Sequence, residues 1–519
     1  MTNPQKKNDD DNKKKHVVVV VLGDIGRSPR MQYHTLSLLE HGHYVTLIGY
    51  VGEHLIPALE KPLTNDGDGC NDEKKNEYSS AAERTYHKNL RVLRMKPHLP
   101  SKRNSIIGRL LYYPLRLISL LYCLFHTLWI ELQNKTIISS PVDVFLVQNP
   151  PSVPTLLLVY LYCVWEGLWR RKRPRFVIDW HNLGYTMFES PTQQTSFLRT
   201  IILTCIRIAA KSYERILAPM ADAHLTVTHA MEVWLGEHFN VHGKNVRVLY
   251  DKPPLLFRPT TIDEEHELFQ RLNLVGESDH FHGWLNSHDN DLHGEQSLSE
   301  ETLFTQCTIH NNERIIQRRQ NRPALLISST SWTPDEDFSV LLKALERLHT
   351  LIMNESKSTP TTSFPNILVV VTGKGPQKEY FIPLLQKFNE QHQHIKIITL
   401  WLEASDYPKL LGCATLGVCL HTSTSGLDLP MKVLDMFGCQ VPVCAIGFDC
   451  LDELVKDGVN GRVFCDGDEL SRQLFDLLKG YPSEDVAELE RYRQNIRGMT
   501  RWRENWDECA RHLIVGDWE

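Results

Sequence analysis

Residues 16–50 read HVVVVVLGDIGRSPRMQYHTLSLLEHGHYVTLIGY. The unbroken β-branched run from Val17 predicts a strand buried on both faces, because a half-exposed strand would alternate apolar with polar residues. Gly23 and Gly26 interrupt it. An amphipathic stretch with Met31, Leu36 and Leu39 on its apolar side follows, and GHYVTLIGY supplies a second strand. Strand, helix and strand in this order make a βαβ unit, and its crossover implies a parallel sheet.

The pattern continues on both sides of a polar break. LRVLRM (90–95), DVFLVQNPP (143–151), RFVIDWHNLGY (175–185), AHLTVTHAM (223–231) and NVRVLYDKP (245–253) read as further strands, several ending in polar loops, and the charged 61–88 as a surface insertion. The alternation starts again at RPALLISSTSW (322–332) and runs through NILVVVTGKGP, IKIITLWLEASD, LGVCLHTS and VPVCAIG. The expected organisation is a charged disordered tail (1–15) and a Rossmann-like acceptor and membrane-facing domain (16–259). A polar insertion or linker (260–321), a Rossmann-like donor-binding domain (322–480) and a closing helix (481–519) follow. The fold class is α/β, two doubly wound domains facing a central cleft.

Bulk composition removes several function classes. A chain of 519 residues suits two to four domains, and 42% hydrophobic with 23% charged residues is ordinary globular composition. A net charge of −6, with no basic tail, argues against generic nucleic-acid binding. The 12 cysteines lack CxxC spacing and fall in apolar runs such as LGVCL, so buried reduced thiols are expected. The histidine cluster HFHGWLNSHDNDLHG (280–294) lies in an aperiodic polar segment and reads as surface, not as a metal site.

No apolar h-region follows the N-terminal MTNPQKKNDDDNKKK, so neither a signal peptide nor an N-terminal anchor is expected. Residues 106–132, IIGRLLYYPLRLISLLYCLFHTLWIEL, are interrupted by Arg109, Pro114, Arg116 and His126 and cannot span a bilayer cleanly. They suit either a helix lying in the headgroup plane or a buried crossover helix. TLLLVYLYCVWEGLWRRKRPR (155–175) ends in a basic run broken only by Pro174. Apolar surface followed by such a run favours an anionic leaflet, and peripheral membrane contact is the expectation.

Doubly wound sheets place their ligands at the carboxyl ends of the strands. GDIGRSPR has glycines that allow close backbone approach and a helix start that can hold an anion, but not the GxGxxG spacing of a nicotinamide fold. VTGKGP (371–376) lacks GxxxxGK[ST], which disfavours an ATPase. SSTSW (328–332) offers hydroxyls that either cap a helix or contact phosphate. In TSTSGLDLPMKVLDMFGCQVPV (422–443), Pro430 fits a first helical position, while Met431, Leu434 and Phe437 form a buried side. Lys432 and Asp435, three apart, share the exposed edge. A carboxylate there can accept from both ribose hydroxyls while the Lys and helix mouth favour a diphosphate; the plainer reading is a cap with an intrahelical ion pair.

VVLGDIGRSPRMQYH, FLVQNPP, VIDWHNLGY, YDKP, SSTSWTPDEDF, VTGKGP, LGVCLHTSTSGLDLPMKVLDMFGC and VPVCAI occur in this order over residues 16–465. In them the chain resembles the chitobiosyldiphosphodolichol β-mannosyltransferases. The resemblance implies a GT-B fold, GDP-mannose as donor, a GlcNAc2-diphosphate-dolichol acceptor and β(1→4) transfer with inversion. It further implies work at the cytosolic face of the endoplasmic reticulum membrane, with other transferases of the pathway as partners. Asp435 stands where related GT-B enzymes often carry a ribose-binding acid. Another lipid-linked glycosyltransferase or a silent scaffolding paralogue are the rival readings.

Inversion requires one in-line displacement with a base on the acceptor hydroxyl. Asp24 and His181 are the candidate bases; a loop-bracing Asp24 and a His181 that merely holds Asp179 are the alternatives. Ser331, Lys374 and Lys432 are expected on the donor diphosphate, Trp401 and Leu402 beside guanine and Asp435 on ribose, while Asp428 either holds a mannose hydroxyl or merely caps the helix. Gly23, Gly26 and Arg27 are expected at the acceptor. Asp335–Asp337 and Asp466–Asp468 match DxD at a helix start and a surface turn, so no catalytic metal is expected.

Overall fold

In the computed structural model the valine run becomes β1 (His16–Asp24), buried from His16 to Leu22. The structure describes residues 14–60, 88–96, 106–134, 138, 140–170, 172–188, 197–274, 281, 284, 300–310, 313–333, 336–358, 364–403, 405–423, 425–482 and 487–516. The tail to residue 13, most of the 61–88 insertion, most of 280–294 and Asp335 lie outside them. The chain divides into two compact units, one of Met1–Tyr250 with Arg503–Glu519, the other of Asp251–Trp502.

In the first unit β1 leads into α1 (Pro29–Glu40), β2 (Tyr44–Tyr50) and β3 (Leu90–Met95). Then come α2 (Ile106–His126), β4 (Val144–Asn149), α3 (Thr155–Arg170), β5 (Arg175–Trp180), α4 (Phe197–Leu217), β6 (Ala223–Thr226), α5 (His229–Phe239) and β7 (Val246–Val248). The seven strands form one parallel sheet in the order β3-β2-β1-β4-β5-β6-β7. The order reverses between β1 and β4, which puts the loops after these two strands at the switch point. From β3 to β6 the crossovers all run one way along the sheet, so right-handed connections place α2, α3 and α4 on the face opposite α1.

The second unit begins with α6 (Ile262–Leu272) and an antiparallel sheet of β8 (Glu300–Glu301), β9 (Thr305–His310) and β10 (Glu313–Arg318). The alternating elements are β11 (Ala324–Ser329), α7 (Phe338–Ser358), β12 (Ile367–Thr372), α8 (Lys378–Gln391), β13 (Ile395–Leu400) and α9 (Asp406–Gly412). They continue through β14 (Leu416–Cys419), α10 (Met431–Gly438), β15 (Val443–Ile446), β16 (Gly461–Phe464), α11 (Gly467–Leu478) and α12 (Ala487–Arg497). Two short helices, α13 (Trp502–Cys509) and α14 (Arg511–Val515), end the chain.

This sheet, order β13-β12-β11-β14-β15-β16, is also parallel. Along β11 the side chains alternate between two cores: Leu326 packs with Phe338 and Leu345, while Leu325 and Ile327 pack with Val433 and Phe437 of α10. Burial on both faces explains why these strands read as continuous apolar runs. The switch point falls between β11 and β14, so α10 starts beside it.

Residues 260–321, expected as an aperiodic insertion, instead carry α6 and the antiparallel sheet. Their order has local causes. Thr261 and Glu264 form a reciprocal capping box, Leu268 and Phe269 enter the core of the second unit, and Arg318 reaches the buried Glu265 at 2.8 Å. Pro430 is corrected by one position: it is the N-cap, and α10 begins at Met431.

Candidate functional sites in the two units

Asp24 ends β1, and its carboxylate accepts from the backbone N–H of Gly26 at 3.0 Å and of Glu53 at 3.0 Å. It therefore laces the loop after β1 to the loop after β2. The fit is close: a Cβ on Gly52 would fall 2.1 Å from the Asp24 carboxyl, and one on Gly26 would fall 2.6 Å from Glu53. Gly23 has room for a side chain, meeting only Val21 at 3.8 Å. Arg27 is largely exposed and pairs with Glu53 at 2.8 Å.

His181 follows β5. Its Nε2 lies 3.0 Å from Oδ2 of Asp179, while its Nδ1 has no partner among the described residues, and the ring is partly exposed. Asp179 is fully buried inside the strand and accepts two bonds from Arg30, both at 2.8 Å, and one from His34 Nε2 at 3.2 Å. Burial alone would raise the Asp179 carboxyl. Arg30, His181 and His34 outweigh it and hold the group well below the ordinary carboxylate range. An ionised Asp179 keeps the proton on Nε2 of His181 and leaves the Nδ1 lone pair outward, the tautomer a general base requires.

Glu214 was not among the residues read from the sequence. It is buried on α4, accepting from Asn149 Nδ2 at 3.0 Å and from Gly184 N at 2.9 Å. It ties FLVQNPP to VIDWHNLGY and so steadies the loop bearing His181. Arg30, His34 and Glu214 leave one weak signal in sequence, charged or polar residues on a helix face that should be apolar.

In the second unit Lys432 does not pair with Asp435. It pairs with Glu336, a buried carboxylate that also accepts from Thr330 Oγ1 and, at 2.6 Å, from Ser331 N; Lys432 Nζ lies 3.4 Å from Ser331 Oγ. The structure thus joins two predicted residues, Ser331 and Lys432, through one the sequence reading missed. Its signal was an acid in the polar link between β11 and α7.

The Asp435 carboxylate, one turn on, makes no hydrogen bond or ion pair among the described residues, and burial lifts it to about 7. Tyr407, whose hydroxyl meets Ser329 Oγ at 2.9 Å, is raised by its own burial and then by the Asp435 charge, which places the two side by side. Asp428 is engaged by its own loop, accepting from Ser423 and, at 2.9 Å, from Ser425.

Lys374 and Trp401 also come together, the ammonium standing 3.7 Å from the centre of an indole that is 62% exposed. Leu402 beside it packs against the core. The glycines around Lys374 serve the fold: Gly373 has φ +125°, and a Cβ on it or on Gly375 would sit 1.8 Å from the carbonyl oxygen of Thr330 or Ser331. Asp337 accepts from Ser339 N at 3.0 Å, Asp466 caps α11 and Asp468 pairs with Lys343, so the described members of both DxD matches hold helix starts or surface pairs.

Residues 310–498 match the family model for glycosyl transferases group 1. The UDP-glycosyltransferase TURAN of Arabidopsis thaliana is 39% identical over 506 residues, covering 95% of this chain and 96% of the relative. The chitobiosyldiphosphodolichol beta-mannosyltransferase of Pongo abelii is 37% identical over 515 residues, covering 95% of this chain and 91% of the relative. A glycosyltransferase from Rickettsia africae ESF-5 has a similar fold, with a TM-score of 0.51 at 12% identity over 97% of this chain and all of its own.

Proposed function

This chain belongs to the chitobiosyldiphosphodolichol beta-mannosyltransferase family, and from that premise we propose that it moves mannose from GDP-mannose to the 4-hydroxyl of GlcNAc2-diphosphate-dolichol with inversion. The second unit holds the donor. The observation that carries this reading is Asp435: a half-buried carboxylate without a partner among the described residues is costly, and two ribose hydroxyls would satisfy it. Lys432, Ser331, Lys374 and the uncapped first N–H groups of α10 take the diphosphate. Trp401 and Leu402 border guanine, and Asp428 meets the mannose.

His181 is the base. The acceptor oxygen attacks the anomeric carbon from the side opposite GDP, and its proton passes to Nδ1. The bond from that carbon to the phosphate oxygen breaks, and its electron pair leaves with GDP. Ionised Asp179 stabilises the imidazolium that forms. Gly23, Gly26 and Arg27 lie on the acceptor side. The leaving charge is assigned to Lys432 and α10 rather than to a metal; activity lost in EDTA and restored by Mn²⁺ would overturn that assignment.

Among the described residues no helix is long and apolar enough to cross a membrane. The layer of α2, α3 and α4 nevertheless exposes Ile118, Tyr122, Leu168, Trp169, Ile202 and Ile208. These large apolar groups, next to the basic run at Arg170–Arg175, support association with the cytosolic leaflet of the endoplasmic reticulum membrane, where a lipid-linked acceptor is presented.

The decisive assay is transfer from GDP-mannose onto synthetic phytanyl-diphosphate chitobiose, with the product anomer read by NMR. A β-linked product is expected. The name of the Arabidopsis relative favours a second reading, a UDP-sugar donor. Transfer from UDP-glucose or UDP-GlcNAc in competition, with none from GDP-mannose, would replace the first reading by the second.

A further inference from the structure

We infer that Trp506, in the C-terminal segment, is a positioning residue that sets the orientation and tautomer of His181 through His34 and Asp179. The inference rests on the reading of His181 as the base. Trp506 is fully buried, and its indole N–H donates to Nδ1 of His34 at 2.9 Å. An indole can only donate, so Nδ1 of His34 must accept, and its proton sits on Nε2. That Nε2–H donates to Oδ2 of Asp179, the same oxygen that takes the Nε2–H of His181.

Donation runs from the indole through His34 into the carboxylate, which also accepts from His181, and each bond fixes the tautomer of the ring that makes it. Burial further lowers the proton affinity of His34 and keeps it neutral. Arg30 is then the cation left on Asp179. The ring of Trp506 also packs edge-on to His34 and tilted against His41, which pairs with Asp507 at 2.9 Å. Among the described residues, Arg30 and His34 from α1, His41 just past its end, Asp179 and His181 from β5 and its loop, and Asp507 from α13 are the charged and titratable groups in contact with this series.

Without the indole donor the tautomer of His34 is no longer fixed, and with its proton on Nδ1 its Nε2 would no longer donate to Asp179. The carboxylate that holds His181 is then less firmly placed, and so is the His181 ring. Trp506→Phe keeps the bulk and removes only the N–H. We expect kcat to fall about tenfold with KM for both substrates unchanged. The acidic limb of the pH–kcat profile is expected to move from its wild-type position. The same measurement on His34→Gln, with ¹⁵N NMR of the histidine tautomers, serves if the first variant folds poorly.

A variant with lower thermal stability but wild-type kcat, pH profile and His34 tautomer would overturn the inference, leaving Trp506 a packing residue. His181→Ala separates the two failures. If it retains turnover, the base reading has failed; if it loses turnover while Trp506→Phe leaves the acidic limb in place, only this inference has.

Discussion

Asp24 and His181 looked equivalent as candidate bases, and their surroundings separate them. The Asp24 carboxylate spends its acceptors on backbone N–H groups, whereas Asp179 holds His181 with Nδ1 outward. His181→Ala should therefore lower kcat by roughly 10² to 10⁴ in a steady-state assay. Asp24→Asn should chiefly lower the thermal midpoint, at a cost of about 1–3 kcal/mol. Near-wild-type turnover in His181→Ala would refute the assignment.

Asp435 gives a second test. Its folded carboxyl is raised to about 7, above the ordinary 3.8 of the unfolded chain. Its contribution to stability is thus fully present below about pH 4 and is lost as pH rises through about 7. Asp435→Asn should raise the melting temperature of the donor-free protein at pH 8 by an amount worth about 1–2 kcal/mol, and leave it unchanged near pH 4. The same substitution should weaken GDP-mannose binding, and in the unsubstituted protein affinity should tighten as pH rises through about 7. Calorimetric titration at pH 6 and pH 8 would check the sign.

At the scale of elements, the glycines of VTGKGP allow a close backbone approach. The close approach in the structure is to the turn after β11. Gly373→Ala combines a left-handed φ with a backbone clash, so it should destabilise the second unit by more than about 1 kcal/mol, seen as a lower urea midpoint. The amphipathic helices permit a test as well. Leu168 and Trp169, 78% and 75% exposed, end α3 beside its basic run. Replacing both with Glu should reduce co-flotation with anionic vesicles several-fold and leave transfer to a detergent-soluble acceptor analogue unchanged. Undiminished flotation would point to another part of the chain. α4, whose exposed Ile202, Ile206 and Ile208 extend this surface, was not singled out in the sequence because Arg207, Lys211 and Arg215 dilute its apolar pattern.

For the whole molecule, the last residues of the chain belong to the first unit, which begins the chain. Trp506, Leu513, Ile514 and Val515 are buried. Deleting residues 503–519 should expose them and cost the first unit at least about 3–5 kcal/mol for Trp506 alone, read as accelerated limited proteolysis between residues 16 and 250. Two parallel sheets, their strand ends and the family were legible in sequence, because buried strands and glycine-marked turns leave local signals a few residues long. Glu336 on Lys432, Glu214 between two loops, and the Trp506–His34–Asp179–His181 series were not. Their partners lie far apart along the chain, and a polar residue carries no mark of which distant donor or acceptor will satisfy it once water is excluded. The pattern of apolar residues thus determined the architecture. Packing alone decided which carboxylate is spent on the fold, which keeps its charge to hold a histidine, and which is left half-buried with no partner among the described residues.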